Sequence, residues 1–145
     1  MSYVLGNNSL TNKTVLDRYM RLNQGTDCQV MYVWIDGTGE FLRAKTRTLK
    51  HTPQTLKELP IWNFDGSSTG QAEGSNSDVF LVPAAMWWDP FRGGQNRILL
   101  CETQTYKHEP TPNNHRHECK RLMDRATDEH PWFGMEQEYT LLDMD

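Results

Sequence analysis

The sequence predicts an α+β domain, in which one amphipathic helix is followed by four or more β-rich runs joined by long polar loops. Three observations carry this prediction. Val15, Leu16, Tyr19 and Leu22 recur at helical spacing. Cys28 to Ile35 and Arg97 to Thr103 are dense in β-branched, aromatic and other apolar side chains. Gly, Pro, Asn, Asp and Ser gather between such runs, where turns need them.

In chain order, Thr11 or Asn12 is the expected helix cap and Gly25 the stop. Cys28 to Ile35 is apolar on both alternating sets, the pattern of a central strand. Asp36-Gly37-Thr38-Gly39 turns the chain, and Glu40 to Leu49 returns as the second strand of a hairpin. Phe41, Arg43, Lys45 and Arg47 share one face of that strand, and Leu42, Ala44 and Thr46 the other. The basic comb is expected on the wet face, where it also blocks edge-to-edge pairing; the competing reading is neutralisation of a nucleotide's phosphates. Thr52 to Pro60 is a short helical or turn segment fenced by prolines.

Val79 to Val82 is an expected strand that Pro83 stops. Ala84 to Asn96 is then a connection whose Trp87, Trp88 and Phe91 either cap the core or line an interface. After the strand at Arg97 to Thr103, Pro110 and Pro112 among polar residues mark a domain boundary. Asn114 caps a second helix with a stripe of Cys119, Leu122, Met123 and Ala126, and Pro131 prevents its continuation. Phe133 to Leu142 reads as a last strand. The expected organisation is a helical segment at 1–25, a sheet domain at 26–108, a linker at 109–114 and the beginning of something further at 115–145.

Composition narrows the function. The chain has 145 residues, of which 37% are apolar, with a net charge of −4. Its mean hydropathy is −0.74, so the apolar side chains must be concentrated in a few strands. The charge offers no basic field for a phosphate backbone, which argues against nucleic-acid binding. Three cysteines, Cys28, Cys101 and Cys119, are odd in number and lack C-x-x-C spacing, as expected of buried or half-buried thiols in a reducing compartment. The first residues lack a signal-peptide pattern and no apolar run is long enough to span a membrane, so the expected location is cytoplasmic. His115, His117 and Cys119 are read as helix-surface residues, because positions two apart on a helix diverge and no H-E-x-x-H pattern is present.

Two stretches carry candidate chemistry. Phe64-Asp65-Gly66-Ser67-Ser68 opens a long loop of Gly, Ser, Thr and acidic residues that ends at Asn76-Ser77-Asp78, with one carboxylate near each rim. It reads either as a solvated connection or as the lip of an active site. Farther along, Glu136, Glu138 and Thr140 share one face of the expected last strand. Alternate residues of a strand lie about 6.6 Å apart, a spacing suited to two neighbouring divalent ions or simply to a wet acidic face.

Trp62-Asn63-Phe64-Asp65-Gly66-Ser67-Ser68 with Asn76-Ser77-Asp78 closely resembles the N-terminal signature of eukaryotic-type glutamine synthetase. Trp34 to Glu40, Lys45 to Leu49, Leu81 to Met86, Asp89 to Arg92 and His130 to Leu141 agree in collinear order, so the resemblance covers nearly the whole chain from about Val15 to Leu142. It implies a β-grasp sheet domain followed by a truncated start, one helix and one strand, of an α/β barrel-like catalytic domain. It also implies ATP-dependent amidation of glutamate by ammonia through a γ-glutamyl phosphate, with Mg²⁺ or Mn²⁺ as cofactor.

By that resemblance Asp65 attracts ammonium and takes its proton, and Ser68 steadies the same loop. Glu136 and Glu138 each hold a metal ion, and Glu136 and Trp132 stand next to the nucleotide. The implied assembly is a homo-oligomer of two stacked rings with active sites between neighbouring subunits, so that Asp65 and Glu138 of one chain serve different sites. Because most of the catalytic domain is missing, the isolated chain is expected to be inactive; the alternative function is an interaction module that associates with full-length subunits.

Overall fold

The computed structural model describes residues 13–143, which fall into two units that divide after Asn114. The expected caps at Thr11 and Asn12 lie outside the described residues. The first unit begins with helix α1 (Lys13–Met20), which buries none of its side chains: Leu16, Tyr19 and, just past the helix, Leu22 are at least half exposed. Five strands follow, β1 (Cys28–Ile35), β2 (Leu42–Leu49), β3 (Trp62–Asp65), β4 (Asp78–Trp88) and β5 (Arg97–Gln104). They form one sheet in the order β2-β1-β5-β4-β3. The β1–β5 pair is parallel and the other three are antiparallel.

The core lies on one face of this sheet. Cys28, Val30, Tyr32 and Trp34 alternate along β1 and are buried, and Leu99, Cys101, Leu81 and Leu59 pack with them. Full burial of a Val or Leu side chain is worth about 1.5–3 kcal/mol, so these few positions hold the unit together. The sheet curls enough for β3, at one edge, to reach β1 near the other. Trp62 meets Tyr32 edge-on at 5.4 Å between ring centroids, and Phe64 lies 4.5 Å from Trp34. The Tyr32 hydroxyl donates to the Pro60 carbonyl at 2.7 Å, so its polar tip is satisfied where its ring is buried.

Three expectations are corrected here. The basic comb of β2 is not on the wet face. Arg43, Lys45 and Arg47 stand opposite Trp34, Tyr32 and Val30 and therefore share the core side of the sheet. Lys45 Nζ sits 3.6 Å from the centre of the Trp62 ring and donates to the Asn63 carbonyl at 3.0 Å, Arg47 lies 5.1 Å from the same ring, and Arg43 pairs with Asp36 at 3.5 Å. Their stems cover aromatic surface while their charged ends find π faces, carbonyls or a carboxylate.

Pro83 does not end β4 either. The strand continues to Trp88 across a register shift between Pro83 and Ala85, a bulge that absorbs the missing N–H, so the first part of the expected connection at 84–96 is ladder. Cys119, the third correction, is exposed, while Cys28 and Cys101 are buried; burial pushes the Cys101 thiol up to about 12.

Residues 109–114 run beside β5. Thr111 is buried and its N–H donates to the Thr103 carbonyl at 3.1 Å, and Asn113 Nδ2 donates to the Asp36 carbonyl at 2.5 Å. Asn114 Nδ2 donates to the Thr103 carbonyl at 2.9 Å. The second unit contains helix α2 (His115–Arg125), a 3-10 turn at Thr127–Glu129 and an irregular segment. Helix α2 carries Lys120–Asp124 and Arg121–Glu118 pairs along its surface and buries no side chain. Leu122 is half exposed, so the apolar stripe of this helix stays open.

Candidate active-site loop

Asp65 is the last residue of β3, placed opposite Asp78 by the β3–β4 register. Asn63 Nδ2 donates to Asp78 Oδ1 at 3.0 Å, which fixes the second rim carboxylate to the same ladder. Beyond Asp65 the chain winds into a 3-10 turn at Gly66–Thr69, with Gly70 at φ +69° closing it in a left-handed conformation that favours glycine. The expected loop is therefore built around a capped turn. Asp65 is that cap: its Oδ1 accepts from the Ser67 hydroxyl at 2.6 Å and the Ser67 N–H at 3.0 Å.

The Ser67 hydroxyl, reinforced by its N–H, holds the Asp65 carboxyl below its ordinary pKa, so the exposed group is firmly anionic near neutral pH. Ser68 Oγ donates to the Asp65 carbonyl at 3.0 Å, tying the next hydroxyl to the backbone instead of to the carboxylate. Gly66 N–H donates to the Ser77 carbonyl at 2.7 Å, and the Gly66 carbonyl in turn accepts from the Gln71 and Ala72 N–H groups at 2.8 and 3.2 Å. The ends of the loop are thus pinned together at its mouth.

The loop also docks on the β1–β2 turn. Gly37 N–H donates to the Thr69 carbonyl at 2.9 Å, and Gln71 Nε2 donates to the Ile35 carbonyl at 3.1 Å. An open cleft of about 610 Å³ lies alongside, bordered by Gly37, Ser67, Gln71, Glu73, Thr105 and Asn113 among others. Gly37 and Gln71 went unnoticed as positioning residues in the sequence. Gly37 reads simply as a turn glycine, and nothing in the spacing of Gln71 signals that its amide reaches the end of a strand formed far earlier.

The second stretch is placed differently. Residues 133–142 form no strand, and Glu136, Glu138 and Thr140 are exposed along an irregular backbone. A strand exists by hydrogen-bonding to a neighbour, and no strand of the second unit is present to pair with it among the described residues. Trp132 is 95% exposed. No group of three or more His, Cys, Asp or Glu side chains among the described residues is arranged to hold a metal ion. Glu136 and Glu138 therefore do not form a complete divalent-cation site with other described residues.

Residues 27–106 match the family model described as glutamine synthetase, beta-Grasp domain. The chain belongs to the glutamine synthetase β-grasp family. It is 63% identical over 139 residues to a glutamine synthetase of Panulirus argus, covering 95% of this chain and 38% of that protein. It is 60% identical over 134 residues to a glutamine synthetase of Homo sapiens, covering 92% of this chain and 36% of that one. A cryo-EM structure of Plasmodium falciparum glutamine synthetase aligns over 81% of this chain and 23% of its own, with a TM-score of 0.48 and 16% identity. The chain thus spans well under half the length of the curated glutamine synthetases it matches. Asp65 and Ser68 fall inside the matched glutamine synthetase β-grasp segment, and Trp132, Glu136 and Glu138 beyond it.

Proposed function

We propose that this chain is the N-terminal part of a glutamate-ammonia ligase, a glutamine synthetase that amidates glutamate at the expense of ATP. The observation that carries the proposal is Asp65, an exposed carboxylate kept ionised by Ser67 at the end of a sheet strand in a family-matched domain. A fixed negative charge at the mouth of a loop raises the local concentration of ammonium. The same hydrogen bonds that hold the charge make Asp65 a weak base here. Its contribution in this arrangement is capture of the cation; proton removal requires that a Ser67 bond be exchanged for one to the incoming nitrogen.

Ser68 acts through the backbone, by fixing the carbonyl of Asp65 and with it the direction of the side chain. Glu136 supplies an oxygen ligand to one Mg²⁺ or Mn²⁺ ion and Glu138 to a second, and Glu136 with Trp132 forms one border of a nucleotide pocket. The other ligands belong to the part of the relatives' length that this chain does not span. Cytoplasmic location and a homo-oligomer with shared active sites complete the reading. For the chain of residues 1–145 alone, a catalytically inactive module that associates with full-length subunits is the second reading. It is favoured by a first unit with a core of its own and a terminal segment without a ladder.

The test uses a protein of the relatives' length that begins with this sequence. Asp65→Asn keeps the shape and removes the charge, and is expected to reduce ammonia-dependent turnover far more than turnover with hydroxylamine, which is neutral near pH 7. Equal losses with both nucleophiles would show a collapsed loop in place of lost ammonium capture. The 145-residue chain assayed beside it should form no glutamine from glutamate, ammonia and ATP.

A further inference from the structure

The chain contains two Asp-Gly dipeptides, Asp36-Gly37 and Asp65-Gly66. In such a pair the unhindered glycine nitrogen can attack the aspartyl Cγ. The nitrogen loses its proton, water leaves from the protonated carboxyl, and a cyclic succinimide forms. Addition of water to either ring carbonyl then regenerates aspartate or yields isoaspartate, in which the main chain runs through the former side-chain carbonyl. No oxidant or reductant takes part. The attack does require a glycine nitrogen released from its hydrogen bond and free to approach Cγ.

Neither glycine can be replaced by a residue that would slow this reaction. A Cβ on Gly37 would lie 2.3 Å from the Thr69 carbonyl oxygen and 2.6 Å from that of Gly70. On Gly66 it would lie 2.4 Å from Val79 Cγ2 and 2.9 Å from the Ala72 Cβ. Close packing of the 66–77 loop and its neighbours thus demands glycine at both positions. The same loop restrains both nitrogens, because Gly37 N–H donates to Thr69 and Gly66 N–H donates to Ser77.

We propose that the 66–77 loop shields two isomerisation sites at once, so that its opening exposes Asp65 and Asp36 together to isoaspartate formation. Closed, it holds the two attacking nitrogens in hydrogen bonds of 2.7 and 2.9 Å. The Ser67 and Thr38 hydroxyls further favour the ionised carboxylates, which depletes the protonated acid from which water leaves. Isoaspartate at position 65 adds one atom to the main chain and shortens the carboxylate's arm, pulling the charge out of its register with Asp78. The cost of that change to ammonium capture rests on the function proposed above; the isomerisation itself does not.

The test is incubation of the 145-residue chain, warm and near neutral pH, followed by peptide mapping with electron-transfer fragmentation to locate isoaspartate. Synthetic peptides spanning each dipeptide set the unprotected rates. Both sites in the folded chain should isomerise about tenfold or more slowly than in the peptides, since modification tracks the population of the opened loop. Gly70→Val forces a branched side chain into the left-handed corner of the loop and should accelerate both sites together several-fold. Should circular dichroism show that variant unfolded, amide exchange of the parent chain decides the matter, because Gly37 and Gly66 should open with the same free energy. Peptide-like rates in the folded chain, acceleration at only one site in a folded variant, or unrelated exchange of the two amides would overturn the proposal.

Discussion

The Asp65 carboxylate is held by groups a few residues away and stands in register with Asp78 across a formed ladder. Glu136 and Glu138 extend from a backbone with no ladder at all. Both stretches carry residues that the family resemblance marks, and both sit next to aromatic side chains in the sequence. What separates them is the range of the interactions each needs. A capped 3-10 turn closes with its own neighbours, so it forms wherever its anchoring strand forms. An E-x-E strand becomes a two-carboxylate face only when another strand supplies the opposite half of every hydrogen bond.

The contrast is broken most directly by amide hydrogen exchange. Protection along β1 and β5 should exceed that of residues 130–143 by on the order of a thousandfold or more, because local opening free energy follows buried apolar contact. Equal protection would show that the terminal segment has found a partner. Leu99→Ala, at a fully buried position, should cost the first unit about 2–5 kcal/mol in urea unfolding while leaving exchange in 130–143 unchanged. A matching change in that segment would tie it to the sheet core.

A subtler probe acts on the Asp65 side alone. Ser67→Ala should move the Asp65 pKa up towards its ordinary value, as followed by carboxyl carbon chemical shifts during titration. The folded pKa lies below the unfolded one, so the stabilisation is fully present above the unfolded value and is lost as pH falls through the folded one. Acidification should therefore loosen the Asp65 loop, and less steeply so in the variant. The smallest effect belongs to the other stretch: Glu138→Ala should change the stability of this chain by no more than about 0.5 kcal/mol, being a substitution at an exposed position.

How much could be read in advance followed the same division. The bounds of β1 and nearly those of β5 were legible because both are short apolar runs bordered by turn residues. The comb of β2 was recognised as one face, but alternation does not say which face turns inward. The register that sets it opposite the buried residues of β1, and the curl that brings Trp62 over Lys45, decide that. Pro83 carries a strong local signal for ending a strand, and a bulge overrode it because Ala85 to Trp88 could resume pairing with β5. The anionic cap at Asp65 needed nothing beyond its own loop, whereas the expected strand at 133–142 lacked any local feature able to replace a pairing partner.

The parallel β1–β5 pair sets a timetable for the sheet. The β1–β2 hairpin can assemble as soon as Leu49 leaves the ribosome, but the inner edge of β1 must wait for Arg97 to Gln104. Until then Val30 and Tyr32 lack the strand that completes their burial. Long-separated pairings are slow because the intervening chain must be confined before any contact rewards it. Synthesis thus carries this unit through a period in which a finished hairpin presents an open inner edge, and a chaperone that engages extended apolar segments would find its target in β1 before β5 arrives.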